Sequence, residues 1–590
     1  MTAARLRLLR LLSAGGATAV TALVLLHVLG TVVPLLSAVA TGRLINDLSG
    51  AGPVAASAVA VVGLLFVDQT VWLVRDLVAG LVVTRVDGRL RATVRALTAG
   101  GLSLDVLEST GFGDRAARTV DNGRGLGRRR SPGAAAAGQL AVIFRMAGAL
   151  GATVLLASYF PLLAVLLLAV SLVARMIVRR QWVGLIDTLD ADLLGQRRLF
   201  HLSELAVSDA AKETRLYGLG HWLAMRFRAV GHATYGPAWR QLWTVLRRQW
   251  ITLILVTGAA AAALAVPGRA ALGGSLDAGQ LVTCVLAAWA IFRITAMGPE
   301  AYDIEYGLRG SEAAAELVRA YGRKSGQLTA VPDRPPVVKF EDVVFRYPGE
   351  PRAVLDGLTL TLHPGETVAV VGENGAGKTT FVKLLGGLYR PTSGRITVDG
   401  TDLAELDVAR WRRRLSVLFQ DFVHYPMNLR DNVALAAPEF SGGDDAVREA
   451  LERAGAGELL AGLPDGLDTS LWQRGAGGQD LSGGQWQRVA LARTLYAATA
   501  GRRVLVLDEP TAHLDIRAEA EFHERVVQRV DGVTTVLISH RLSTVRPAGR
   551  IVLLSGGRVT EDGTHDELLA LGGDYARFYT LQASAFGGPR

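Results

Sequence analysis

The chain has 590 residues, more than one hydrophobic core supports, so two or more domains are expected. Half of it is apolar and only 20% is charged, which excludes a disordered chain and argues against a wholly soluble one. The net charge of +9 would suit nucleic acid or an anionic membrane surface, and its distribution decides between them: residues 1–330 hold 34 basic and 20 acidic side chains, a balance of +14, whereas 331–590 hold 29 and 34, a balance of −5.

No Asp, Glu, Lys or Arg occurs from Leu11 to Gly42, a run longer than the ~20 apolar residues a bilayer crossing needs. Its length argues against a signal peptide, as does the absence of a small-residue cleavage site followed by a soluble domain. Further spans are expected near 54–74, 136–157, 160–178, 249–267 and 279–297, six in all. Pro161 divides the uncharged run 146–174 into two spans joined by a tight hairpin at Ser158–Pro161.

Arg5, Arg7 and Arg10 precede the first span, and segments 75–132 and 179–248 carry eleven basic residues each. The opposite loops hold only Arg43 and Arg269. By the positive-inside rule the amino terminus, both long segments and the carboxy-terminal half are cytoplasmic. Those segments carry helical apolar spacing, for example Leu90, Val94 and Leu97, so they are expected to prolong the spans. Asp68, Arg145 and Arg293 fall inside nominal spans, where a charge is costly and points to a substrate pathway or to snorkelling. The single cysteine, Cys284, excludes an intramolecular disulfide and is expected to be a buried apolar residue.

The expected fold is therefore multidomain, with an all-α six-helix transmembrane domain over 1–322, a polar linker over 323–336 and an α/β domain over 337–590. In the last of these, the strand-like Thr367–Val371 runs into Gly372-Glu373-Asn374-Gly375-Ala376-Gly377-Lys378-Thr379-Thr380 and then a helical stretch. This is the phosphate-binding loop in its required context. Glycines let backbone N–H groups face phosphates, Lys378 reaches the β- and γ-phosphates of ATP, and the Thr379 hydroxyl is placed to hold Mg²⁺. A second strand, Val504–Leu507, ends in Asp508, an Mg²⁺ partner, and Glu509, positioned to orient or deprotonate the attacking water.

Leu481-Ser482-Gly483-Gly484-Gln485 then resembles the signature of ATP-binding cassette (ABC) proteins, 23 residues before Asp508. The resemblance extends to Tyr347 as the aromatic stacking on adenine and to Gln420 as the glutamine between the lobes, a further Mg²⁺ partner. It also covers Asp515 as the dimer-contacting aspartate and His540 as the histidine touching the γ-phosphate. It implies an ATPase whose nucleotide is held by Tyr347, Gly372, Asn374, Gly375, Gly377, Lys378, Thr379, Thr380 and Asp508, with Ser482, Gly483, Gly484, Gln485 and Asp515 acting on the nucleotide across a dimer. Glu509, His540 and Gln420 would be catalytic.

Six spans ahead of one cassette resemble exporter-type half-transporters. The resemblance implies a dimer with a second half-transporter, a bilayer location in the plasma membrane of a bacterium, and a small-molecule or peptide substrate, hydrophobic or amphipathic, with no nucleic acid. Import on the same architecture, or a membrane-anchored ATPase regulator, are the alternatives. Glu108–Arg115 and Ala211–Gly218 resemble the family's coupling-helix neighbourhoods. Gln473-Arg474-Gly475 stands where exporters of the family commonly have Glu-Arg-Gly. No protease-like segment precedes the first span, so leader-peptide cleavage is not expected.

Overall fold

A computed structural model of the chain describes residues 3–50, 52–99, 102–120, 131–190, 192–205, 210–295, 300–322, 334–472, 477–510 and 532–586. It forms two compact units, Met1–Leu97 with Thr110–Gly322, and Thr98–Ser109 with Arg323–Arg590.

The described helices of the first unit are α1 (Ala3–Leu11), α2 (Ala17–Ser49) and α3 (Val54–Ala99), then, after the short α4 (Leu104–Glu108) of the second unit, α5 (Thr110–Val120), α6 (Pro132–Ala157) and α7 (Pro161–Asp190). They continue with α8 (Leu193–Leu205), α9 (Ala211–Leu216), α10 (Gly220–Leu272), α11 (Ala278–Phe292) and α12 (Glu300–Tyr321). The apolar runs do not end where they would leave a bilayer. The 46 residues of α3 and the 53 of α10 continue as unbroken helices, about 70 and 80 Å long at 1.5 Å per residue. Among the described residues, α2, α3, α6, α7 and α10 are long and apolar enough to cross a membrane. The expected sixth span is shorter: α11 has 15 residues, about 22 Å, and is followed by a turn through Thr295.

Local chemistry sets the helix starts. Ser131 caps α6, accepting from the Ala134 N–H at 3.1 Å, with Pro132 in the first turn where its missing N–H costs nothing. Asp277 and Gln280 form a reciprocal capping box on α11. The α6–α7 hairpin turns over 158–160 into Pro161.

With no water to expel between spans, packing favours small residues. A Cβ on Gly42 of α2 would collide with Thr283 Oγ1 and stand 2.5 Å from Gly279 O of α11, and a Cβ on Gly279 would collide with Gly42 O. The Asn46 side chain accepts from the Gly279 N–H at 2.8 Å and seals this approach. Cys284 is buried in a cluster with Ala152, Leu156, Leu167, Ala263 and Ile291, drawn from α6, α7, α10 and α11.

The second unit has two described sheets. One is antiparallel, in the order β2 (Leu355–Leu362), β1 (Val338–Phe345), β4 (Ser393–Val398), β5 (Thr401–Asp402). The other runs β10 (Arg558–Gly563), β9 (Arg550–Ser555), β3 (Thr367–Val371), β8 (Thr534–Ile538), β7 (Val504–Asp508), β6 (Leu415–Leu418), parallel from β9 to β6. Its central strands are buried end to end, as continuous aliphatic runs require. One core lies around α13 (Lys378–Leu385) between the sheets and the other around α18 (Gly483–Thr499), with α14 (Val408–Arg412), α15 (Leu429–Ala434), α16 (Gly443–Arg453) and α17 (Gly457–Gly462) between them in sequence.

The short α4 (Leu104–Glu108) belongs to this unit, not to the helices that flank it in sequence. The Leu104 N–H donates to Leu388 O at 2.7 Å and Tyr389 Oη donates to Glu108 at 2.6 Å. Burial and that carboxylate hold the Tyr389 phenol well above its ordinary range.

Candidate functional site

The loop after β3 is shaped by glycines that nothing larger replaces. Gly375 and Gly377 hold φ of +85° and +104°, and a Cβ on Gly377 would stand 2.6 Å from Leu355 Cδ2. A Cβ on Gly372 would collide with Leu554 O of β9. The loop feeds straight into α13, whose first residue is Lys378.

Lys378 is almost fully buried and bends back over its own loop, donating to Gly372 O at 2.8 Å and Glu373 O at 2.9 Å. Burial lowers its pKa, against the opposing pull of the Glu509 and Asp508 carboxylates. Thr379 Oγ1 donates to Asp508 Oδ2 at 3.4 Å. Asp508 ends β7 almost completely buried, and its carboxyl is pushed up to about 6, first by desolvation and then by the adjacent Glu509.

Parallel pairing then brings together residues that are far apart in sequence. β7 and β8 align Asp508 with Ile538, so Glu509 and His540 leave neighbouring strand ends, and the Glu509 carboxylate lies 3.0 Å from His540 Nδ1. Glu509 is 14% exposed and His540 48%, which leaves the histidine open at the rim. Glu509 adopts φ of +51°, an uncommon conformation for a residue with a side chain, with its N–H donating to Ile538 O at 2.9 Å. Gln487 of α18 braces the same turn, its Nε2 donating to Pro510 O at 2.7 Å and Glu509 O at 3.3 Å.

The other expected residues are placed differently. Ser482 and Gln485 cap α18 reciprocally, at 2.9 and 3.3 Å, leaving Gly483 and Gly484 in the first turn with that N-terminus exposed. Their bonds are internal to that turn, in contrast to those of Thr379, Asp508, Glu509 and His540, which converge. Tyr347 is half-buried, edge-on to Phe345 and Tyr389, with its hydroxyl 3.1 Å from Thr380 Oγ1. Asn374 and Gln420 are exposed, the latter just past β6. Asp515 and the stretch Gln473–Ala476 lie outside the described residues.

Three contacts escaped the sequence reading. Beyond the Gln487 brace, the His424 ring stacks on Trp486 at 4.3 Å and the Arg493 guanidinium lies 4.8 Å from the centre of the Tyr425 ring. Both tie the segment after Gln420 to α18. Trp486 stood directly after the signature, but no spacing rule pairs it with a residue 62 positions earlier.

Residues 355–512 match the family model described as ABC transporter. The solved structure of a bacterial Atm1-family ABC exporter with ATP bound superposes with a TM-score of 0.78 and 25% identity, over 96% of this chain and 98% of that one. The chain has the fold of an ABC exporter and carries an ABC transporter domain. Among curated relatives, the ATP-dependent lipid A-core flippase of Chromobacterium violaceum is 34% identical over 57% of this chain and 56% of its own length. The mycobactin import ATP-binding/permease protein of Mycobacterium tuberculosis is 41% identical over 42% of each chain. The cyclolysin secretion/processing ATP-binding protein of Bordetella pertussis is 41% identical over 42% of this chain and 34% of its own length. The chain thus spans about half the length, or less, of these curated relatives; its apolar helices, with these bacterial relatives, support a bacterial membrane protein.

Proposed function

We propose that the chain is one half of an ATP-driven exporter of a hydrophobic or amphipathic substrate, acting as a dimer in the bacterial plasma membrane with the amino terminus and the ATPase domain in the cytoplasm. The convergence of Thr379, Asp508, Glu509 and His540 beside Lys378 carries this reading.

In this reading the 372–380 loop turns its N–H groups to the phosphates, and Lys378 leaves its own carbonyls for the β- and γ-oxygens. Tyr347 supports the adenine. Glu509 takes the proton of the attacking water, and His540, held by Glu509, donates to the γ-phosphate. The donors around Asp508 suit Mg²⁺: they are oxygens, and burial, with the adjacent Glu509 carboxylate, pushes the Asp508 carboxyl up to about 6, so a bound cation would favour its ionised form. Thr379, Asp508 and Gln420 would hold the ion, which when bound neutralises phosphate charge. The exposed helix start at Ser482–Gln485, with Asp515, would close on the nucleotide of a second cassette, so two chains share each site.

Glu509→Gln in the purified full chain is expected to lower ATP turnover about 10²-fold or more. Turnover like that of the wild type removes Glu509 from this role. The likeness to a mycobactin import protein favours one second reading, import on the same architecture. ATP-dependent accumulation of substrate inside inside-out vesicles supports export, and ATP-dependent loss from them supports import.

A further inference from the structure

Arg293 caps the C-terminal end of α11, a helix with no charged residue of its own. Two cavities of the helical unit share it. One, of about 440 Å³, is an apolar slot between α10 and α11, walled by Val256, Ala263, Leu264, Trp289 and Phe292. The other, of about 210 Å³, is polar and lies against Asp68, Gln69, Trp72 and Arg75 of α3. The larger alone falls within the range of small-molecule sites. Arg75 has an acidic neighbour, Asp76, at 3.7 Å, whereas among the described residues no ion pair takes up Arg293 or Asp68. Arg293 is exposed, so its guanidinium is open to a ligand entering either cavity, and within an apolar span a cationic side chain is best answered by an anion.

We propose that these two cavities, which share Arg293, bind an amphipathic anion, with its apolar body in the α10–α11 slot and its carboxylate or phosphate on Arg293, and with Asp68 of the polar cavity accepting any donor the head group carries. This rests on the export reading only in naming the occupant as cargo; the binding chemistry is independent of it. Slot and guanidinium together specify the ligand: an apolar compound leaves Arg293 unanswered, and a small anion leaves the slot unfilled.

The test uses the full chain in phosphatidylcholine nanodiscs, with dibromostearate as the probe and its uncharged methyl ester as the control. Bromine quenches nearby indoles, and Trp289 lines the slot. Dibromostearate is expected to quench saturably and to bind about 10-fold or more tightly than the ester, the worth of one charge-assisted contact. Arg293→Gln should abolish that preference and Arg293→Lys should keep most of it. Asp68→Asn should tighten binding, because it removes a like charge; a variant that merely disturbed folding would weaken it. Trp289→Phe should remove the saturable part of the signal. Equal binding of acid and ester, or an unchanged preference in Arg293→Gln, overturns the proposal. Competition by phosphatidylglycerol doped into the disc identifies a bilayer lipid as the occupant, and its failure to compete identifies a free amphiphile; both leave the shared chemistry standing. If binding holds while inside-out vesicles accumulate nothing, the export reading fails and the site remains.

Discussion

In the ABC transporter domain, the ionisable groups at the phosphate loop are each answered by a neighbour: Lys378 by two carbonyls, Asp508 by Thr379, and Glu509 by His540. In the helical unit, Arg293 and Asp68 line cavities with no ion pair among the described residues, and the helices approach through glycine and alanine instead. The contrast separates two tasks. A reaction on a phosphate needs donors fixed in advance, so its polar groups hold one another in place. In the proposed reading, recognition of cargo leaves groups unsatisfied until the cargo arrives.

Each half of this contrast can be broken. The largest effect is expected from Glu509→Gln, about 10²-fold or more in ATP turnover with little change in the melting transition, since the isosteric amide keeps the turn. If stability falls in parallel, the group is structural. Trp486→Ala removes a buried ring and the platform under His424, and should cost about 3–5 kcal/mol in denaturant unfolding of the full chain. A cost below about 1 kcal/mol shows that the stack is not holding that segment. In the helical unit, Gly42→Leu forces α2 from α11 and should destabilise by about 1–3 kcal/mol or more, read as detergent-resistant half-life. A tolerated leucine would mean that the two helices do not pack so closely.

Tyr389→Phe deletes the bond to Glu108 and should cost about 1 kcal/mol, seen as faster proteolysis in the α4 segment. Unchanged cleavage would detach α4 from the ABC transporter domain. The smallest effect is on pH. Burial lowers the His424 pKa below its ordinary 6.5, so the folded state binds fewer protons than the unfolded chain as pH falls below that value. The stability contributed by neutral His424 is complete above about 6.5 and declines below it. His424→Phe keeps a ring on Trp486 without the titration, so its melting temperature should fall less between pH 7 and 5.5; equal slopes would exclude His424 as a source.

The phosphate loop was legible because its chemistry is local: glycine spacing, a strand before and a helix after specify it within 14 residues, 367–380. The apolar runs of α2, α3, α6, α7 and α10 were legible for a similar reason, since burial in lipid acts on composition alone. Glu509 and His540 were each recognisable, but 31 positions separate them, and only the parallel register of β7 on β8 sets their side chains 3.0 Å apart. The length of α11 was misjudged because an apolar run does not report where a helix stops, and a turn at Arg293–Thr295 stops it. That α4 joins the ABC transporter domain depends on two long-range bonds that no periodicity encodes.

The sequence by itself determined the composition of the two units, the helices that lipid requires and the residues able to handle a phosphate, because these follow from hydrophobicity and short-range geometry. Tertiary structure alone decided which charges are answered. The same arginine reads identically in a sequence whether it is paired or stands, as Arg293 does, between an apolar slot and a polar cavity, since the difference lies in neighbours supplied by α3 and α10, far away in the chain.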